Sequence, residues 1–254
     1  MLEILTVDFP FDENGRNLHI YAPDDLRDDE LVPVLYMFDG QNLFDDETAS
    51  FGTSWGLQDY ARNHQLRCVI VGLECSHEGD NRLIEFSPYT FYGKGMKKRG
   101  YGDEILQWMI EELKPWVEEN YPVYSDREHT YIGGSSMGGL MALYAVTVYN
   151  DVFGRAACLS PHHSFCIRSL IRDCYRPMDP NTIIYISWGS EESPTKDLLA
   201  KWSSRNIEII NAFAGRVDVH PHLYLGENHS ETSWAKETEI WMNELGLAEF
   251  QEEW

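Results

Sequence analysis

The sequence predicts an α/β fold: a mostly parallel central sheet with helices on both faces and antiparallel strands at its N-terminal end. Three observations carry the prediction. From residue 33 onward, short apolar runs alternate with longer helical segments, the order that builds a parallel sheet covered on both sides. Runs such as Val34-Leu-Tyr-Met-Phe38 and Cys68-Val-Ile-Val-Gly-Leu73 are apolar nearly throughout, as strands buried on both faces must be. The first 22 residues read instead as two strands joined by a turn.

Taken in order, Leu2–Phe9 and Asn17–Ala22 flank Asp12-Glu-Asn-Gly15, and an Asn-Gly between alternating runs is a hairpin signal. Further strands are expected at Pro33–Phe38, Cys68–Leu73, Thr130–Gly133, Ala156–Leu159, Thr182–Trp188 and Val219–Leu225. Helices are expected near Trp55–His64, Tyr101–Asn120, Met137–Tyr149, Lys196–Ala214 and Ser230–Leu245. The strongest of these sets Ile105, Trp108, Met109, Leu113 and Trp116 on one face at three-and-four spacing. Pro115 should bend it or weaken one turn. No repeat, low-complexity tract or linker divides the 254 residues, so a single domain over 1–254 is the reading. Only Pro161 to Pro180 separates two of the strands, which leaves room for a minimal lid or none.

The chain has 42 Asp+Glu against 20 Lys+Arg, a formal net charge of −22. That charge repels phosphate backbones and anionic membrane surfaces, so neither nucleic acid nor membrane is an expected partner. Hydrophobic residues at 43% suffice for a packed core. No apolar run approaches the ~18 residues of a membrane span, and the first residues are acidic where a signal peptide is basic. Five cysteines, odd in number and without a CxxC pair, read as reduced thiols of a cytoplasmic protein. Oligomeric state stays open, a homodimer included.

Gly-x-Ser-x-Gly occurs twice, at Ser54 and at Ser136. The pattern has mechanical meaning only where a strand enters and a helix leaves, because the serine then sits exposed on a strained turn. Ser54 follows a polar loop and reads as a helix N-cap. Ser136 follows His129-Thr-Tyr-Ile-Gly-Gly and precedes the apolar stretch Met137-Gly-Gly-Leu-Met-Ala, so Ser136 is the candidate nucleophile. A serine hydroxyl is a weak nucleophile near neutral pH and needs a base, itself oriented by an acid.

His229 lies directly after the last strand and before the last helix, where a base can meet that serine. His220 and His222 alternate within the preceding strand and read as side chains on one sheet face, with no metal site expected. The acid should follow the strand Ile183-Ile-Tyr-Ile-Ser-Trp-Gly189, which offers Glu192 first, then Glu191 and Asp197. Oxyanion donors should be the Met137 amide, directly after the nucleophile, and the Gln41 amide after the strand ending Phe38, with Asn42 as the alternative. Asp39 and Asn42 would brace that loop by their side chains, and His162 and His163 would line the pocket rather than serve as base.

These residues now resemble a known family. The segment Met37-Phe-Asp39-Gly40-Gln41-Asn42-Leu-Phe44-Asp45 is similar to the oxyanion loop of the "putative esterase" branch of the α/β-hydrolase superfamily. Related branches include enterochelin-esterase-like proteins, feruloyl and acetyl-xylan esterases, S-formylglutathione hydrolases and mycolyltransferases. Ile132-Gly-Gly-Ser-Ser136-Met-Gly-Gly-Leu, Gly226-x-x-His229-x-Glu231-x-x-Trp234 and Arg82-x-x-Glu85-Phe86-Ser-Pro88 resemble it too, as does Gly100-Tyr101-Gly102 with the helix to Tyr121. The resemblance covers nearly the whole chain. It implies an α/β-hydrolase fold, Ser136 as nucleophile, His229 as base and the Gln41 and Met137 amides as oxyanion donors. Many relatives carry aspartate where Glu192 falls, and some work as a Ser-His pair, so the acid stays open. Arg82 and Glu85 would pair to hold their loop, or Arg82 would contact substrate.

The expected activity is serine carboxylic-ester hydrolysis through an acyl-enzyme, on a small-molecule or carbohydrate ester and without a cofactor. Phe44, Tyr89, Phe91, Tyr92 and Trp188 would suit an aryl acyl group, making cinnamoyl or feruloyl esters the first guess, with acetylated sugars and siderophore esters close behind. The basic cluster Lys94, Lys97, Lys98 and Arg99 reads as a solvated loop, with guidance of an anionic or phenolic substrate as the alternative. The rivals are an acyltransferase using the same residues and a catalytically silent binding protein of hydrolase shape.

Overall fold

A computed structural model describes residues 1–93 and 95–248. The strands are β1 (Leu2–Phe9), β2 (Asp12–Tyr21), β3 (Val34–Phe38), β4 (Val69–Leu73), β5 (Phe91–Gly93), β6 (Met96–Lys98), β7 (Thr130–Ser135), β8 (Arg155–Leu159), β9 (Ile183–Gly189) and β10 (Asp218–Tyr224). Eight of them form one sheet in the order β1-β2-β4-β3-β7-β8-β9-β10. The pairs from β4 to β10 are parallel, and β2 runs against both its neighbours. The helices are α1 (Leu57–Asn63), α2 (Asn81–Glu85), α3 (Gly102–Trp108), α4 (Lys114–Asn120), α5 (Met137–Val148), α6 (Ile167–Cys174), α7 (Lys196–Phe213), α8 (Glu231–Lys236) and α9 (Thr238–Glu244).

Alternation along each strand divides the interior into two cores. Tyr36, Phe38, Val69, Val71 and Ile132 face one layer, with Ile105, Leu140, Leu170 and Ile209 from the helices. Leu35, Met37, Ile70 and Tyr131 face the other, against Leu57, Trp234 and Trp241. Helix α5 is buried from Met137 to Thr147, which is why it carries no polar face. The five cysteines are all buried and unbridged. Among the described residues, no helix is long and apolar enough to cross a membrane.

Two expectations need correction. The N-terminal turn is at Pro10-Phe11, not at Asp12–Gly15. Phe9 pairs with Asp12 and Val7 with Arg16, so Asn14-Gly15 sits in a bulge inside β2, with Gly15 at φ 76°. The fixed φ of Pro10 supplies a turn that outcompetes the Asn-Gly. Ser54 does not cap α1: Gly56 occupies that position, and the Ser54 hydroxyl accepts the Gly56 N–H at 3.3 Å. Around Pro115 the helix runs on, through a π-helical turn at Met109–Leu113 between α3 and α4. The wider turn moves the carbonyl of residue 111 away from the proline ring that would otherwise strike it.

One buried carboxyl makes stability depend on pH. Glu237, between α8 and α9, is 3% exposed and accepts the Tyr185 hydroxyl at 3.0 Å. Burial pushes its pKa from 4.5 to about 7, against the opposing pull of Ser187 and Tyr185. The fold therefore holds a proton that the unfolded chain releases, and stability falls as pH rises from 4.5 through 7. Glu237→Gln should leave urea-unfolding stability unchanged at pH 4.5 and raise it by up to about 3 kcal/mol at pH 8. Equal gains at both pH values would refute this.

Candidate active site

Parallel sheets gather functional groups beyond the carboxyl ends of their strands, at the point where the strand order reverses. Here the chain passes from β3 to β4 on one side and then returns to place β7 on the other. The loops after β3 and β7 therefore meet. Among the described residues, positive φ occurs at four non-glycines, Asp39, Gln65, Ser136 and Ser160, and three of these follow β3, β7 and β8 directly. Such conformations cost about 1–3 kcal/mol each and persist only where the surroundings enforce them.

Ser136 stands at φ 56°, ψ −115° between β7 and α5. The bend is tight enough that a Cβ on Gly134 would lie 2.9 Å from the carbonyl carbon of Gly138. The Ser136 hydroxyl lies 2.9 Å from His229 Nε2, and His229 Nδ1 lies 3.2 Å from Glu192 Oε2. The other oxygen, Oε1, accepts the Gly189 N–H at 2.7 Å and the Ser160 hydroxyl at 2.5 Å. Ser160 in turn accepts Trp234 Nε1–H at 2.8 Å, and the Trp234 ring meets His229 edge-on at 4.9 Å. The Glu192 side chain is 8% exposed. Burial raises its pKa, but the hydrogen bonds from His229, Ser160 and Gly189 together outweigh that and hold it below the ordinary glutamate value. Chemically, this set can take a proton from a hydroxyl and hold the resulting imidazolium beside a carboxylate. Among the described residues, no group of three or more His, Cys, Asp or Glu is arranged to hold a metal.

The loop after β3 forms a short turn at Gly40–Asn42, in which the Asn42 N–H donates to the Asp39 carbonyl at 2.9 Å. The Gln41 side chain turns inward, donating to Ser50 Oγ and Cys75 Sγ, each at 3.2 Å. Its backbone N–H precedes the bonds of the turn, and the Met137 N–H opens α5, where no intrahelical acceptor exists. Close approach makes glycine obligatory at position 40: a Cβ there would lie 2.3 Å from the Gly72 carbonyl oxygen.

Arg82 holds Asp39 bidentately, with both bonds at 2.6 Å. Burial works against the Arg82 charge, and Asp39 more than offsets it. The expected Arg82–Glu85 pair does not form, because Glu85 instead takes Arg16, at 2.8 and 3.0 Å. Asn42 is buried and donates to Glu231 Oε1 at 3.3 Å, tying the loop after β3 to the helix that follows His229.

Phe44 is 6% exposed in the second core, and it is absent from the walls of the cavity beside His229. Trp188 and His162 do line that cavity, and the His162 N–H donates to the Ser136 carbonyl at 2.9 Å. Tyr89 is bound to Asp173, Phe91 packs on Phe165, and Tyr92 is exposed. In the basic cluster, Lys98 lies 3.8 Å from Asp80 and Arg99 pairs with Glu104, while Lys94 lies outside the described residues. His220 and His222 both face Glu244, at 3.4 and 2.9 Å. Sequence reasoning missed Ser160, whose one signal was its place directly after a strand end.

The comparisons agree with this architecture. The family described as "Putative esterase" matches residues 13–244. The uncharacterized protein YbbA of Bacillus subtilis (strain 168) is 25% identical over 193 residues, 74% of this chain and 73% of its own. Among solved structures, the BES protein from Bacillus cereus superposes with a TM-score of 0.74 at 20% identity, covering 96% of this chain and 94% of that one. The siderophore hydrolase EstA from Aspergillus nidulans gives 0.69 at 18% identity, covering 96% and 94%. With the family matched from the N-terminal hairpin to the last helix, this chain belongs to the "putative esterase" family and is an esterase of α/β-hydrolase fold.

Proposed function

We propose that the protein hydrolyses carboxylic esters through an acyl-enzyme on Ser136, with His229 as the base and Glu192 as the orienting acid. The observation that carries this reading is the unbroken chain Ser136 Oγ, His229 Nε2, His229 Nδ1, Glu192 Oε2, with links of 2.9 and 3.2 Å. Ser136 Oγ bonds to the ester carbon as its proton passes to His229 Nε2. The former carbonyl oxygen becomes an anion and takes the N–H groups of Gln41 and Met137. The bond to the alcohol oxygen then breaks, and that oxygen leaves with the proton from His229. Water repeats the cycle, giving its proton to His229 and its oxygen to the acyl carbon, and Oγ recovers its hydrogen as the acid departs.

Asp39, Arg82 and Asn42 act on this scheme by holding the loop that carries Gln41. Cinnamoyl, acetyl-sugar and siderophore esters form the substrate panel, the last matching the named activity of the similar Aspergillus nidulans protein. The test is a rapid-mixing experiment with p-nitrophenyl acetate. A burst of about one p-nitrophenol per chain should precede steady turnover, and mass spectrometry of the quenched protein should locate the acetyl group on Ser136. A burst with the acetyl group elsewhere, or turnover with no adduct on any variant, would overturn the scheme.

A further inference from the structure

Helix α7 begins at Thr195, whose side chain caps the Leu198 N–H at 3.3 Å. Leu199, Trp202 and Asn206 recur along it at helical spacing and share a face. That face is drawn to the sheet by Trp188, at the end of β9, whose indole N–H donates to Ser203 Oγ at 3.0 Å. Between them lies a cavity of about 190 Å³ whose walls include Trp188, Leu199, Trp202, His163, Asn206 and His229. Neither Ser136, Met137 nor Gln41 is among its lining residues.

That division of walls decides which part of an ester belongs there. The acyl carbon and its oxygen must stay beside Ser136 Oγ and the two amides, whereas the departing alcohol oxygen must face His229 Nε2, which protonates it. A cavity bounded by the imidazole and not by the other three groups is reached from the alcohol oxygen. Its size suits one ring, since a cavity of roughly 150 Å³ accommodates a benzene.

Most polar groups in its wall already have partners: Ser160 and His229 both bond Glu192, and the Ser164 hydroxyl lies 3.2 Å from His162 Nε2. His163 is 3% exposed, and burial lowers its pKa to about 4, so the imidazole is neutral. Its Nε2–H donates to Asn206 Oδ1 at 2.6 Å, and Nδ1 is buried with no partner among the described residues. The reverse tautomer would bury an unpaired N–H at Nδ1, which costs more than a bare acceptor. With its oxygen taken, Asn206 can offer a ligand only its NH2 group. A sugar would bring several hydroxyls against Trp188, Leu199, Trp202 and side chains that are already bonded, so most would lose their water without a full replacement.

We infer that this cavity binds the alcohol part of the ester, and that the preferred alcohol is a single aromatic ring carrying one hydrogen-bond acceptor opposite Asn206. The inference rests on the acyl-enzyme reading above. Ethanol and benzyl alcohol are similar leaving groups, so acetate esters of ethanol, benzyl alcohol and 4-acetylbenzyl alcohol isolate the alcohol side. Ethyl benzoate isolates the acyl side. Leu199→Trp should lower the benzyl-to-ethyl ratio of kcat/KM among the acetates at least tenfold, mainly through KM, and leave the ratio of ethyl benzoate to ethyl acetate unchanged. Asn206→Asp keeps the acceptor for His163 and removes the donor. It should cut the 4-acetylbenzyl-to-benzyl ratio by about tenfold.

A loss that follows the benzoyl group would overturn the assignment, as would unchanged ratios in a Leu199→Trp protein that turns over ethyl acetate normally. A wild-type protein that cleaves none of these esters, and is not acetylated on Ser136 by p-nitrophenyl acetate, would sink the acyl-enzyme reading together with this one.

Discussion

Ser136→Ala should lower kcat for p-nitrophenyl acetate by about 10⁶-fold, and Ser136→Gly by as much. The two variants should nonetheless differ in stability. At φ 56°, ψ −115° the residue lies where only glycine is unstrained. Alanine keeps the strain and loses only the hydrogen bond to His229, about 1 kcal/mol. Glycine loses the same bond but is relieved of about 1–3 kcal/mol of backbone strain, less about 0.4–1 kcal/mol for its greater unfolded-state freedom. Thermal unfolding should therefore rank glycine above alanine while both remain inactive. An alanine variant retaining activity within tenfold of the wild type would remove Ser136 from the chemistry. Glycine and alanine variants melting together would mean that the elbow stores no strain.

How far the sequence discloses all this depends on the range of the interaction. The elbow was legible because its cause is local: a strand, two glycines, a serine and an apolar helix lie consecutively. His229 was legible by order, falling between β10 and α8. The hairpin was misread because two turn signals four residues apart compete, Pro10 against Asn14-Gly15, and pairing register decides between them. The partner of Arg82 was misread for a different reason. Glu85 is its neighbour in sequence, but the loop after β3 brings Asp39 to Arg82 across 43 residues, and Glu85 turns to Arg16 across 69. Ser160 contacts Glu192 and Trp234 across 32 and 74 residues, and no local pattern encodes either meeting. Phe44 shows the limit of composition. An aromatic beside a reactive loop is as useful to the core as to a ligand, and here the core has it.

Glu192→Gln should lower kcat by about 10⁴-fold with little change in KM, for a reason visible in the carboxylate's other contacts. Oε1 receives two donors, the Gly189 N–H and the Ser160 hydroxyl, whose own acceptor side already takes the Trp234 indole. The backbone N–H can only donate. A glutamine must therefore turn its oxygen toward Gly189 and its NH2 group toward His229. That NH2 donates to Nδ1, which places the imidazole proton on Nε2, and Nε2 then cannot accept the proton of Ser136. The loss comes from a wrong tautomer rather than a lost charge. Ser160→Ala should weaken activity far less, because the carboxylate still accepts from His229 and Gly189.

The same contacts set the pH response. The Glu192 pKa is depressed in the folded protein, so its contribution to stability is present above the ordinary glutamate value of 4.5 and is lost as pH falls below it. Ser160→Ala, by removing one of the stabilising donors, should move that acid loss to higher pH. Kinetics and acid unfolding of the two variants then separate a triad from a pair. If Glu192→Gln keeps kcat within tenfold of the wild type, Ser136 and His229 suffice by themselves, and the buried carboxylate serves only to anchor the loop after β9.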